Sequence, residues 1–106
     1  MSYTQLAFEF SPAFVAPPPA FSADGDVFIE CDPNYWDVTR GYIGAGYVYR
    51  RSGSSWALSE TIIDADISND GKLGIAGWGI SGDAQYAAFV DITGYCRIYK
   101  YNGSTW

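Results

Sequence analysis

The residues of this 106-residue chain that could do chemistry are few and limited in kind. Histidine is absent. That removes Ser-His-Asp triads, His-based general-base catalysis and His-ligated zinc, and leaves only carboxylate, thiol or lysine chemistry. Two carboxylate pairs, Asp24 with Asp26 and Asp64 with Asp66, have the residue types of a glycoside hydrolase. Both lie in turn-like sequence, where exposure and ordinary acidity are expected. Cys31 and Cys96, 65 positions apart, match neither a CxxC metal knuckle nor a dense disulfide framework. They sit inside apolar alternations and read as two buried thiols with no histidine to activate them. No catalytic residue is assigned, and the chain is not expected to be an enzyme.

Charge narrows the partners further. Twelve acidic against six basic residues give a net charge of −6 and a pI near 4.2, which repels phosphate backbones, so nucleic acid is not an expected partner. The opening MSYTQLAFEF has no basic stretch followed by an apolar one, and no signal peptide is expected. No uncharged apolar run approaches the ~18 residues of a membrane span, so no membrane insertion is expected.

Any site must be positioned by strands. Hydrophobic residues make up 48% of the chain, aromatics 18%, and there are 12 glycines, a mixture that favours strands and tight turns over helices. An internal repeat organises them. GAGYVYRRSGSSW at 44–56 matches GYCRIYKYNGSTW at 94–106 with a spacing of 50, pairing Gly44 with Gly94, Val48 with Ile98, Tyr49 with Tyr99 and Trp56 with Trp106. SADGDVFIECD at 22–32 matches SGDAQYAAFVD at 81–91 with a spacing of 59, so the first copy carries about nine extra residues around PNYWDVTRG at 33–41. In the second copy strands are expected over 74–80, 85–91 and 95–101; the first copy adds a fourth over 56–63 after the turn RSGS.

Four-stranded antiparallel units recurring at roughly 40 to 50 residues mark β-propeller blades, and propellers close with about four to eight of them. The expected fold is therefore all-β, with two propeller-type blades per chain. The domains are a first blade over 16–63, a second and incomplete one over 64–106, and an N-terminal strand over 1–15. The second copy lacks a fourth strand, while YTQLAFEF at 3–10 reads as a spare one, carried on the stiff connector APPPA. Exchange of that strand between copies would place Tyr3, Leu6, Phe8 and Phe10 at an oligomer interface and complete a ring, preferably a trimer of six blades.

The phrases GYVYRRSGSSW and RIYKYNGSTW, with the SGD turn before an apolar strand, resemble the FG-GAP-like propeller repeats of bacterial and viral surface proteins. The resemblance covers residues 22–106 and implies a propeller that binds. It also bears on the acidic loop DADISNDG at 64–71, which resembles the calcium loop of those repeats, with Asp66, Ser68 and Asp70 as the ligands it would use. Gly74 stands where that pattern has another carboxylate, and the first copy has APPP instead. A solvated turn without a cofactor is the expectation, with calcium as the alternative. Architecture alone also makes the chain similar to trimeric six-bladed lectins that bind fucose.

Residues repeated in each unit, Trp56 and Trp106 or Tyr49 and Tyr99, read as sheet packing, with Arg50 and Lys100 left solvated. The insertion is different, because the second copy does without it. Tyr35, Trp36 and Arg40 on it are of the types that make interface hot spots and stack on sugars, and Trp78 in GWG is a fourth binding candidate. The function expected is a non-enzymatic binding or structural subunit, a homo-oligomer docking on the protein surface of a larger assembly, such as a capsid cement or decoration protein of a virion. The alternative is a multivalent carbohydrate-binding lectin.

Overall fold

The computed structural model describes residues 19–106, which form nine strands and no helix. The strands are β1 (Ala20–Phe21), β2 (Val27–Asp32), β3 (Trp36–Asp37), β4 (Gly41–Tyr42), β5 (Ala45–Ser52), β6 (Ser55–Ile62), β7 (Gly77–Ile80), β8 (Tyr86–Val90) and β9 (Cys96–Lys100). They make a four-stranded sheet in the order β1-β2-β5-β6, a three-stranded sheet β7-β8-β9 and a hairpin β3-β4, all antiparallel. The all-β expectation is met. The strand expected over 74–80 begins later because Gly74 turns the chain at φ +83 and packs so tightly that an added Cβ would stand 2.2 Å from the Cys31 Sγ. At the other end, Ala20 belongs to β1 rather than to the stiff connector. The N-terminal strand and its interface residues Tyr3, Leu6, Phe8 and Phe10 lie outside the described residues.

The repeat is written into the registers. Val27 pairs with Arg50 in the first sheet and Tyr86 with Lys100 in the second, displaced by the same 59 and 50 positions that align the sequences. Phe21 pairs with Phe28, and Ile80 with Ala87, both displaced by 59. The turn before each middle strand is built alike. The Ser22 hydroxyl donates to Asp24 Oδ1 at 2.7 Å and accepts from the Val27 N–H, while the Ser81 hydroxyl donates to Asp83 Oδ1 at 2.7 Å and accepts from the Tyr86 N–H. Such short side chains close a turn by standing in for backbone partners. Gly25 and Ala84 hold the same left-handed position, at φ 75 and 59. The insertion expected at 33–41 is the hairpin β3-β4 and its flanks.

The two sheets stack front on back. In a strand, alternate residues share a face. The front of the first sheet presents Val27, Ile29, Cys31 and Val48, all buried, and these pack with Ala87 and Phe89 on the opposite face of the second sheet, joined by Ile43, Ile62, Ile67 and Leu73. Trp78, Ile80 and Tyr99 lie half-buried against this core. By repeat position, Ala87 and Phe89 correspond to Phe28 and Glu30, which lie on the reverse of the first sheet. Each sheet therefore uses a different face of the same unit. The front of the second sheet, carrying Tyr86, Ala88, Val90, Cys96, Ile98 and Lys100, faces outward, with Tyr86 45% and Ile98 67% exposed.

This stacking corrects three expectations. Cys31 is buried and donates to the Leu73 carbonyl at 2.9 Å, but Cys96 is exposed because it lies on the uncovered front of β9. Arg50 is not solvated like Lys100: its guanidinium lies 4.4 Å over the Tyr101 ring, with Nε and one Nη buried and lacking hydrogen-bond partners. Trp56 and Trp106 do not play matching roles. Trp56 lies in β6, against Phe28 at 4.9 Å, whereas Trp106 lies outside any strand, packs on Tyr101 at 5.3 Å and donates its backbone N–H to Glu60 Oε2.

Candidate functional site

The insertion hairpin is a small built unit. Asp37 Oδ1 accepts from the N–H groups of Thr39 and Arg40 at 2.8 and 2.9 Å and from the Thr39 hydroxyl at 2.6 Å, closing the loop between β3 and β4. The hydrogen bond from the Thr39 side chain, aided by the two backbone donors, holds the Asp37 carboxyl below its ordinary value. The acidic loop then clamps the hairpin from outside. Asp70 Oδ1 accepts from the Tyr42 N–H at 2.9 Å, the Asp70 N–H donates to the Arg40 carbonyl at 2.8 Å, and the Lys72 N–H donates to the Tyr42 carbonyl at 3.0 Å. Gly41 is required beneath this clamp, since its φ is +77 and an added Cβ would stand 2.2 Å from Asp70 Oδ1.

The structure separates the four expected binding residues. Tyr35 and Trp78 pack half-buried against the core. Arg40 is a strut: its guanidinium donates to the carbonyls of Asp64 and Ala65 at 2.8 and 3.1 Å and lies 3.8 Å from Asp37. Trp36 stays 58% exposed. It pairs across the hairpin with Tyr42, ring centroids 5.0 Å apart and nearly perpendicular, and Lys72 Nζ lies 5.9 Å over the Tyr42 ring. With exposed Val38 at the turn, these residues form an aromatic platform with one cationic edge. Sequence reading missed Tyr42 and Lys72. The signal for Tyr42 was the two-residue pairing of TrpAsp with GlyTyr, whereas Lys72 reaches the platform only through tertiary contact.

The calcium candidates lie on the acidic loop after β6. Asp66, Ser68 and Asp70 are exposed, Asp70 is spent on the hairpin, and among the described residues no three His, Cys, Asp or Glu groups are gathered as metal ligands would be. The carboxylate pairs are also occupied. Burial pushes Asp64 up, but hydrogen bonds from Tyr99, the Asp66 N–H and Arg97 outweigh it and leave the carboxyl below its ordinary value. Asp24 is lowered by the Ser22 hydroxyl first and the Asp26 N–H second. The carboxylate moved the other way is Glu30, raised by burial and accepting from the Tyr49 hydroxyl at 3.1 Å. No helix among the described residues is long and apolar enough to cross a membrane.

What this arrangement can do is bind. A rigid, solvent-facing indole edged by a phenol and an ammonium can stack on a flat or weakly polar surface at small entropic cost. Comparison with family models, curated proteins and solved structures finds no match.

Proposed function

We propose that this chain is a non-enzymatic subunit of an oligomeric FG-GAP-like β-propeller, two blades to a chain and preferably three chains to a ring. In this reading it docks on the protein surface of a larger assembly, as a viral capsid cement or decoration protein does. The observation that carries the reading is the stacking of two sheets with the same register, front of one on back of the next. A contact between unlike faces repeats until it closes as a ring or runs on as a fibre, and a closed ring buries every such face. Covering sheet faces and edges between chains is also how so short a chain would avoid open-edge association. The hairpin with Trp36 and Tyr42, which the second unit does without, supports docking outside the ring. The test is the native mass in solution, for which the reading expects three times 11.6 kDa, followed by co-purification with a particle. A stable monomer at all concentrations refutes it.

A second reading is favoured by the exposure of Trp36. An indole held by Tyr42 and offered to solvent suits the apolar face of a sugar, and several weak sites on one ring would add through multivalency. Saccharide binding on a glycan array, lost in Trp36→Ala, would place the lectin reading first.

A further inference from the structure

The strands β5 and β9 hold the same place in the repeat, yet β5 is paired on both edges and β9 on one. Along an antiparallel strand, alternate residues turn their backbone groups to opposite neighbours. Arg51 donates its N–H to the Asp26 carbonyl on the β2 side, so Gly46, Val48 and Arg50 face the other way, where β6 pairs with them. In β9 the β8 side takes Tyr101, which donates to the Gln85 carbonyl, and Tyr95, whose carbonyl accepts from Asp91. Cys96, Ile98 and Lys100 therefore turn their N–H and C=O groups outward. They are the repeat counterparts of Gly46, Val48 and Arg50, and among the described residues β9 pairs with β8 alone. An unpaired strand edge is a template for another strand. Cys96 and Ile98 also carry exposed side chains on the open front of this sheet, Ile98 at 67%.

We infer that this outer edge of β9 is the docking site for residues 3–10, YTQLAFEF, of a second copy, added antiparallel as β6 is added to β5. The inference rests on the ring reading above and specifies the edge, the register and the residue pairs of the contact between chains. Residues 3–10 lie outside the described residues; their sequence is what fits the place. Setting Leu6 where Leu58 stands, and Glu9 where Thr61 stands, carries the β5–β6 register over to β9. Gly46 opposite Ile62, Tyr47 opposite Thr61 and Val48 opposite Glu60 become Cys96 opposite Phe10, Arg97 opposite Glu9 and Ile98 opposite Phe8. The two phenylalanines then extend the apolar front beside Cys96 and Ile98, and the one charged residue of the segment meets a base. Apolar and opposite-charge cross-strand pairs of this kind stabilise a sheet. A slip of one residue would set Glu9 opposite Ile98 or Cys96 and turn both phenylalanines to the other face. A second copy is the source because the chain's own segment leads into β1, which lies against β7, and β7 and β9 are opposite edges of one sheet.

Cys96 makes the register testable, because it is exposed while Cys31 is buried. Residues directly opposite in such a pair have Cα atoms about 5.5 Å apart, within the span of a disulfide. The full chain carrying Phe10→Cys is mildly oxidised and run on a non-reducing gel beside Glu9→Cys, whose thiol points to the other face, and the native mass of the natural chain is measured over a range of concentrations. The expected result is an oligomer in which Phe10→Cys gives a disulfide between chains, abolished by Cys96→Ser, while Glu9→Cys gives about tenfold less. Hydrogen exchange reads the edge of the natural chain without any substitution. The outward Ile98 amide is expected to exchange on the order of 100-fold more slowly in the oligomer than an unpaired amide does. An oligomer with a fast Ile98 amide, or one in which Phe10→Cys links no better than Glu9→Cys, overturns this edge and register while leaving the ring reading in place. A Phe10→Cys disulfide formed within one chain overturns the second copy as the source. A natural chain that is monomeric at all concentrations overturns both readings.

Discussion

Phe89 of the second sheet lies directly over Gly46 of the first, so that a Cβ built on the glycine would stand 2.5 Å from the Phe89 Cζ. This contact needs both a fully buried phenylalanine and a residue without a side chain. Gly46→Ala is expected to destabilise the fold by about 1–3 kcal/mol, since ring and strand must part. Phe89→Ala is expected to cost about 3–5 kcal/mol by leaving a cavity between the sheets. Urea unfolding of the variants checks both. The repeat counterpart of Gly46 is Cys96, which carries a side chain freely because its face is open in the isolated chain.

The Asp91–Arg97 pair gives a pH-dependent prediction. Asp91 is 1% exposed; its Oδ2 accepts from Arg97 Nε at 2.8 Å, and its Oδ1 accepts from the Thr93 hydroxyl and the N–H groups of Thr93 and Tyr95. Burial pushes its carboxyl up, yet these hydrogen bonds prevail and hold it below the ordinary 3.8. A carboxyl lowered by folding contributes stability that is present above 3.8 and is lost as pH falls through the folded-state value. Arg97→Leu strands the carboxylate and should cost about 3 kcal/mol at neutral pH. The gap to the natural chain should narrow below about pH 4, as Asp91 takes up a proton. Denaturation at pH 7 and pH 3 measures it; a gap independent of pH would contradict the role given to Asp91.

Glu30 predicts the opposite sign. Burial on the reverse of the first sheet raises its pKa from 4.5, so its ionised form weakens the fold and stability is lost as pH rises through that range. Glu30→Gln keeps an oxygen for the Tyr49 hydroxyl and removes the charge. The variant is expected to melt higher than the natural chain at pH 7 and to lose that advantage at pH 3.

The repeated serine turn separates burial from hydrogen bonding. Ser22 and Ser81 make the same bonds, but Ser22 is 5% exposed whereas Ser81 is part-exposed. Ser22→Ala is expected to cost about 1 kcal/mol or more, leaving the Val27 N–H without this acceptor where water does not reach, and Ser81→Ala clearly less. Equal losses would mean that the surrounding protein does not matter to the turn.

Trp36→Ala tests the platform. An indole 58% exposed contributes little to folding, so the melting temperature should stay near that of the natural chain, with a change within about 0.5 kcal/mol. Binding to a particle surface or a sugar should fall sharply, as truncation of a rigid aromatic anchor does. A large loss of stability would assign Trp36 to the hairpin's own packing with Tyr42.

Much of the fold is legible in the sequence. Runs such as YVYR and RIYK, bounded by glycine and serine, marked the strands, and the two spacings between the copies anticipated the registers in which Val27 meets Arg50 and Tyr86 meets Lys100. The insertion was visible as a length difference. Alternation also distinguishes the two faces of a strand, because successive side chains point oppositely. It does not say which face another sheet will cover. Val27 to Cys31 are buried on both faces, so the first sheet offered no polar side to choose from, and Cys31 and Cys96 looked alike. Only the tertiary packing decided that one thiol is enclosed and the other open, that Arg50 is covered and Lys100 exposed, and that Arg40 braces the hairpin while Trp36 faces water. Strand identity is local, set by side-chain shape and turn residues. Coverage is a property of contacts between residues dozens of positions apart, and those become definite only when the whole chain has packed.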